Sequence, residues 1–150
     1  MTPGDYMTLA IDEARAAADR GEVPVGAIIV DSGSGDVLSR AGNRVEELGD
    51  PTAHAEILAI RAAAEIRDEP RLPDCDLYVT LEPCAMCAGA ISMVRLRRLS
   101  FGAYDAKGGG VEHGGRFFNQ PTCHHAPEVV GGVMEIESGD LLKAFFAERR

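Results

Sequence analysis

His54, Ala55 and Glu56 in DPTAHAEILAI stand 30 positions before Cys84, which shares the segment EPCAMCAGA with Cys87. One imidazole and two thiols make three zinc ligands, and a catalytic zinc site keeps its fourth position for water. Cysteines at i and i+3 on the first turn of a helix share a face, and the helix N-terminus favours the thiolate that binds metal. Glu56 lies two residues from His54, close enough to reach a zinc-bound water but on a different face from a fourth ligand. That placement suits a base that moves protons between water, substrate and leaving group. Each piece alone has an ordinary explanation: half of a structural zinc site, a capping histidine, a carboxylate that complements a helix dipole. Their order, spacing and helix-start context together point to a water-activating centre with one zinc per chain.

A closed structural site is the rival reading. Cys75, or the cluster Cys123, His124 and His125, offers a fourth ligand that would make the ion inert. Such a site leaves Glu56 without a purpose, and a chain of 150 residues needs no metal staple to fold. These four residues are therefore placed outside the expected site.

The elements that must position these groups are readable from periodicity. Met7, Ala10, Ile11, Ala14, Ala17 and Ala18 recur at helical spacing, and Gly21 is a stop signal. Val23 to Val30 reads as a buried strand, and the turn Ser32 to Asp36 returns it as a second strand around Val37 to Ala41. Asp50 is the expected cap of a helix that begins at Pro51 and is apolar on most sides, hence buried. Leu77 to Thr80 is a strand feeding Cys84, Ala85 to Val94 a helix, and Arg97 to Phe101 a further strand. Alternating strands and helices imply parallel pairs with right-handed crossovers, and so a layered α/β domain. Gly102 to Pro127 has little periodicity and is long for a loop, which marks it as functional or mobile. A short strand near Val129 to Ile136 and a last helix with the apolar stripe Leu141, Leu142, Phe145 and Phe146 complete the chain.

Length and a hydrophobic fraction of 45% fit one domain, residues 1–150, with a real core. No segment reaches the ~20 apolar residues of a membrane span, and the N-terminus does not resemble a signal peptide. A cytoplasmic protein is expected, in which C-x-x-C holds metal rather than forming a disulfide. The net charge of −9 argues against indiscriminate polyanion binding. Its distribution is uneven: residues 1–90 carry 7 Lys/Arg against 17 Asp/Glu, and residues 91–150 carry 8 against 7. A polyanion should meet the C-terminal part, although acidic residues also serve simply to keep helix faces solvated.

H-x-E followed by P-C-x-x-C is the signature of zinc-dependent nucleobase deaminases. With EVPVGAIIV, GNR, LYVTLEPCAMCAGAIS, FGAYDAKGGG and FFAERR, the chain resembles the tRNA-specific adenosine deaminases over nearly its whole length. The resemblance implies a three-layer α/β/α cytidine-deaminase-like fold, with a mixed five-stranded sheet between helices, usually as a homodimer. It implies that His54, Cys84 and Cys87 hold Zn2+, that water takes the fourth position, and that Glu56 shuttles protons during hydrolytic deamination of adenosine to inosine. The target would be the wobble position of a tRNA anticodon, in an arginine-type anticodon loop. Asn43 would hydrogen-bond the base, and the amides of Ala55 and Cys84 would help orient the reacting oxygen. Asp105, Lys107, Phe145, Phe146, Arg149 and Arg150 match positions that hold the anticodon loop. Sequence-specific RNA readers usually take splayed bases from loops, which agrees with aromatic and basic residues near the C-terminus. The same zinc chemistry would serve a deaminase of free guanine or cytosine, and a non-catalytic zinc protein that binds RNA is a further alternative.

Overall fold

The computed structural model describes residues 1–149. Arg150, one of the residues that the resemblance assigns to RNA, lies outside them. The first helix, α1 (Pro3–Asp19), begins at a capping box: Thr2 Oγ1 accepts from Asp5 N–H at 3.2 Å, and Asp5 accepts from Thr2 N–H at 2.8 Å. Pro3 occupies the first helical position, where its missing N–H costs nothing. Strands β1 (Gly26–Asp31) and β2 (Val37–Gly42) form the expected hairpin. A short helix, α2 (Val45–Leu48), and the longer α3 (Ala55–Arg67) precede β3 (Cys75–Leu81). Then follow α4 (Ala85–Met93), β4 (Arg98–Ala103), a 3-10 turn at Phe117–Asn119, β5 (Glu128–Val130) and α5 (Glu135–Ala147).

The five strands make one mixed sheet in the order β2-β1-β3-β4-β5. Neighbours β3, β4 and β5 are parallel, whereas β1 runs antiparallel to both β2 and β3. The sheet is thus mixed, as expected, with its parallel pairs confined to β3 onward. The reason is the hairpin: the crossover through α3 does set β3 parallel to β2, but β1 sits between them and reverses both pairings.

Side chains of β1 and β3 alternate between two apolar layers, as the two-residue period of a strand requires. Ala27, Ile29, Leu77 and Val79 face a core with Ala59, Ile60 and Ala63 of α3 and Ala88 and Ile91 of α4. Ile28, Val30 and Tyr78 face the opposite layer, with Met7, Ala10 and Ile11 of α1. α1 comes close to β1 because position 26 is glycine: a Cβ there would overlap Ala10 O and lie 2.5 Å from Ala14 N.

Two sequence expectations need correcting, and one short helix has no counterpart among them. The third helix starts at Ala55, not Pro51, because Asp50 Oδ1 is engaged by Thr52 N–H (2.8 Å) and Thr52 Oγ1 (2.7 Å) and so closes a turn instead of a helix. The strand expected over 129–136 ends at Val130; Gly132 has φ +84°, and Ile136 already lies in α5. α2 has no periodic signal in four residues and exists because the buried Glu22 carboxylate accepts from Glu46 N–H (3.0 Å) and Glu47 N–H (2.8 Å).

Candidate active site

Two helix starts bring the donors together. His54 is the N-cap residue of α3 and Cys84 that of α4, both in extended backbone conformation, and Cys87 sits in the first turn of α4. His54 Nδ1 is 3.7 Å from Cys84 Sγ and 3.5 Å from Cys87 Sγ, and the three donor atoms lie within 4.8 Å of one another. A tetrahedral ion with Zn–S near 2.3 Å and Zn–N near 2.0–2.1 Å needs an N···S separation of about 3.6 Å. The observed spacing meets that requirement.

The electrostatics point the same way. Hydrogen bonding with Cys87, then with His54, lowers the Cys84 thiol to about 4, so it is a thiolate at neutral pH. Cys87 is pushed upward by the shared bond to Cys84 and by burial, and His54 is raised chiefly by its bond to Cys84. A divalent cation among them favours the thiolate of both cysteines and the neutral imidazole. Cys75 and Cys123 are not part of this group. Cys75 is buried at the start of β3, and Cys123 Sγ lies 3.2 Å from the His125 carbonyl and 3.6 Å from Ser92 Oγ. Among the described residues, His54, Cys84 and Cys87 are the one set of histidine, cysteine and carboxylate groups that converges in this way. The closed four-ligand alternative finds no support in that geometry.

Glu56, in the first turn of α3, is only 4% exposed, and burial raises its carboxyl above the ordinary range. It opens with His54 and Cys84 onto a cavity of about 540 Å3 that is also lined by Asn43, Phe145 and Arg149. Asn43 is fixed from several sides. Its Oδ1 accepts from Ala55 N–H at 2.8 Å, its carbonyl accepts from Arg20 Nη2 at 3.1 Å, and its N–H donates to Val25 O at 3.2 Å. The Ala55 amide is thus spent on holding Asn43 and is not aimed at a reacting oxygen. The Asn43 side-chain NH2 remains for the cavity.

At the rim, Arg149 lies 3.4 Å above the Phe145 ring and donates to the Phe145 carbonyl at 3.0 Å. Phe146 packs edge-on against Phe145 and is half exposed. Asp105 lines the cavity, but its Oδ1 accepts from Lys107 N–H (3.1 Å) and Gly108 N–H (2.9 Å), which turns the carboxylate into its own loop. Lys107 is exposed on that loop. Sequence reasoning did not find Glu22, Arg20 or Glu82, whose roles rest on backbone groups brought near only by folding. Glu82 is buried in the wall of the same cavity, where burial is outweighed by hydrogen bonds from Asp105, His113, Glu112 and Val111 that hold its carboxyl below the ordinary range.

Residues 2–103 match the family model of the cytidine and deoxycytidylate deaminase zinc-binding region. Fold and donor set therefore define a zinc-dependent deaminase. The chain is 59% identical over 145 residues to a tRNA-specific adenosine deaminase of Agrobacterium fabrum, covering 97% of this chain and 94% of that protein. It is 44% identical to the tRNA-specific adenosine deaminase of Bacillus subtilis, covering 97% and 89%. A structure from studies of A-to-I editing by tRNA:A34 deaminases superposes with a TM-score of 0.89 at 59% identity, over 92% of this chain and 99% of that one. The guanine deaminase of Bacillus subtilis superposes less closely, with a TM-score of 0.69 at 30% identity, over 99% and 94%. The chain belongs to the tRNA-specific adenosine deaminase family.

Proposed function

We propose that this protein deaminates adenosine to inosine at the wobble position of a tRNA anticodon, of the arginine type, with His54, Cys84 and Cys87 holding one Zn2+. The observation that carries the reading is a buried carboxylate, Glu56, beside three convergent metal donors that open with it onto a base-sized cavity. Zinc, when bound there, supplies a Lewis acid that makes water a nucleophile near neutral pH. Glu56 takes the proton that this water gives up and passes it to ring nitrogen N1 as the C6–O bond forms. It then takes the second proton, from the new C6 hydroxyl, and delivers it to the exocyclic amino group, so that C6=O forms, the C6–N bond breaks and ammonia departs. A carboxyl raised by burial suits both duties, since it must accept and release a proton within one turnover. Asn43, locked by Ala55 and Arg20, offers its NH2 to the edge of the base. Phe145, braced by Arg149, gives the flipped base an apolar wall.

Arg149, which lines the cavity, and the exposed Lys107 and half-exposed Phe146, neighbours in sequence of the lining residues Gly108 and Phe145, are the groups we assign to the anticodon loop. Asp105 acts there by shaping its loop. The same reading makes the protein a homodimer: Met86, Gly89, Ala90 and Met93 share the outer face of α4 at helical spacing, with Met93 77% exposed. No described helix is long and apolar enough to cross a membrane, and a tRNA substrate would suit a cytoplasmic enzyme. The test is inosine formation in an arginine-type anticodon stem-loop by the purified zinc-loaded chain, with free guanine and cytosine offered in parallel. Turnover of a free base alone selects a nucleobase deaminase of the same fold.

A further inference from the structure

Glu82 is a fully buried carboxylate that the chemistry above does not use; its side chain has no exposed surface. It follows β3 and stands two residues before Cys84. Its Oε1 accepts from Asp105 N–H at 3.0 Å and meets His113 Nδ1 at 2.8 Å. Its Oε2 accepts from the N–H groups of Val111 (3.2 Å), Glu112 (2.9 Å) and His113 (3.1 Å). Four backbone donors and one imidazole thus converge on one carboxylate, and all belong to the segment from Asp105 to His113. An ionised carboxylate is acceptor-only and can take all of them, which neither an amide nor a hydroxyl can do.

The segment is also shaped to wrap this group. A Cβ at Gly109 would overlap Glu82 Oε2, and a Cβ at Gly110 would come within 2.6 Å of Ala85 N and 3.0 Å of the Cys84 carbonyl carbon. Gly110 N–H donates to Pro83 O at 2.8 Å, which ties the same loop to the residue before the metal ligand. The outer side of the loop carries Asp105 and Gly108 into the cavity wall and exposes Lys107. Beside the local turn at Asp105 and the Gly110–Pro83 hydrogen bond, the carboxylate at 82 is the group on which both ends of this loop converge.

We propose that Glu82 is a positioning residue for the RNA substrate: its carboxylate locks the Asp105–His113 loop into the wall of the base cavity, and so sets substrate affinity without touching substrate. The inference rests on the deamination reading and goes beyond it in assigning affinity to a buried group in the cavity wall.

The test compares wild type, Glu82→Gln and His113→Ala, all zinc-loaded, by hydrogen exchange and by steady-state inosine formation in the anticodon stem-loop. Glu82→Gln keeps the side-chain shape but turns an NH2 toward backbone donors, so amides of residues 105–113 should exchange at least tenfold faster. KM should rise at least tenfold while kcat stays within threefold and zinc remains at one per chain. His113→Ala removes one donor of five and should give the same pattern at smaller amplitude; it keeps the test decisive if Glu82→Gln fails to fold. Unchanged exchange and KM in both variants overturns the proposal. Loss of zinc or a collapse of kcat at unchanged KM also overturns it, by making Glu82 a support of the metal instead of the loop. An inactive wild type defeats the deamination reading alone, because the exchange measurement needs no substrate.

Discussion

Burial raises the Glu56 carboxyl, whereas Cys84, at the start of the neighbouring helix, is held as a thiolate by hydrogen bonds from Cys87 and His54. Two acids within one small site are driven in opposite directions, which under the proposed function would divide proton transfer from metal holding. Glu56→Ala should therefore keep one zinc per chain and lower kcat by about 100- to 10,000-fold, the usual contribution of a general acid-base group. Metal analysis beside a single-turnover inosine assay checks both halves. Cys84→Ala removes a ligand and should lose zinc and activity together, with a lower melting temperature because the metal no longer favours the folded state. Asn43→Ala should cost about 1–3 kcal/mol by leaving the Ala55 N–H without its buried acceptor, and it should lower kcat/KM as well. Urea unfolding of the variant, set beside its kinetics, separates the two effects.

At the level of elements, the site depends on how closely helices sit on the sheet. α1 packs onto β1 at Gly26, whose N–H also donates to Thr80 Oγ1 at 3.1 Å. Gly26→Ala should destabilise the fold by about 1–3 kcal/mol, the ordinary range for overpacking, since the obstructing atoms are helix backbone. Urea midpoints measure it. β3 supplies a pH-dependent contribution through Cys75, whose thiol is raised to about 11 by burial and then by the nearby Asp74 carboxylate. Because the folded value lies above the ordinary 9.0, the stability it contributes is complete below pH 9 and is lost as pH rises through about 11. Unfolding midpoints between pH 8 and 10.5 should fall less steeply in Cys75→Ala than in the native chain.

At the level of the whole molecule, a net charge of −9 leaves few cations for RNA. Lys107, Arg149 and Arg150 are the three assigned to it, and with about 0.7 counterions released per contact on single strands, log K against log salt should slope near −2. A slope near zero in anticodon stem-loop binding would remove the electrostatic role of these residues. The candidate site was legible in the chain: a histidine and two cysteines at fixed spacings near helix starts do converge, with Glu56 buried beside His54, because ligand type and local geometry are properties of short segments. Hydrophobic periodicity likewise determined which stretches are helices and strands. Strand order and the insertion of β1 between β2 and β3 were decided only by tertiary structure, since pairing partners are distant in sequence, whereas the start of α3 at Ala55 follows from the local turn in which Thr52 engages Asp50. Tertiary structure alone also decided the roles of the buried carboxylates of Glu22 and Glu82, which stand inside EVPVGAIIV and LYVTLEPCAMCAGAIS without any local sign of what they bind. Their partners are backbone N–H groups up to 31 residues away, and a backbone donor has no sequence identity until folding aims it.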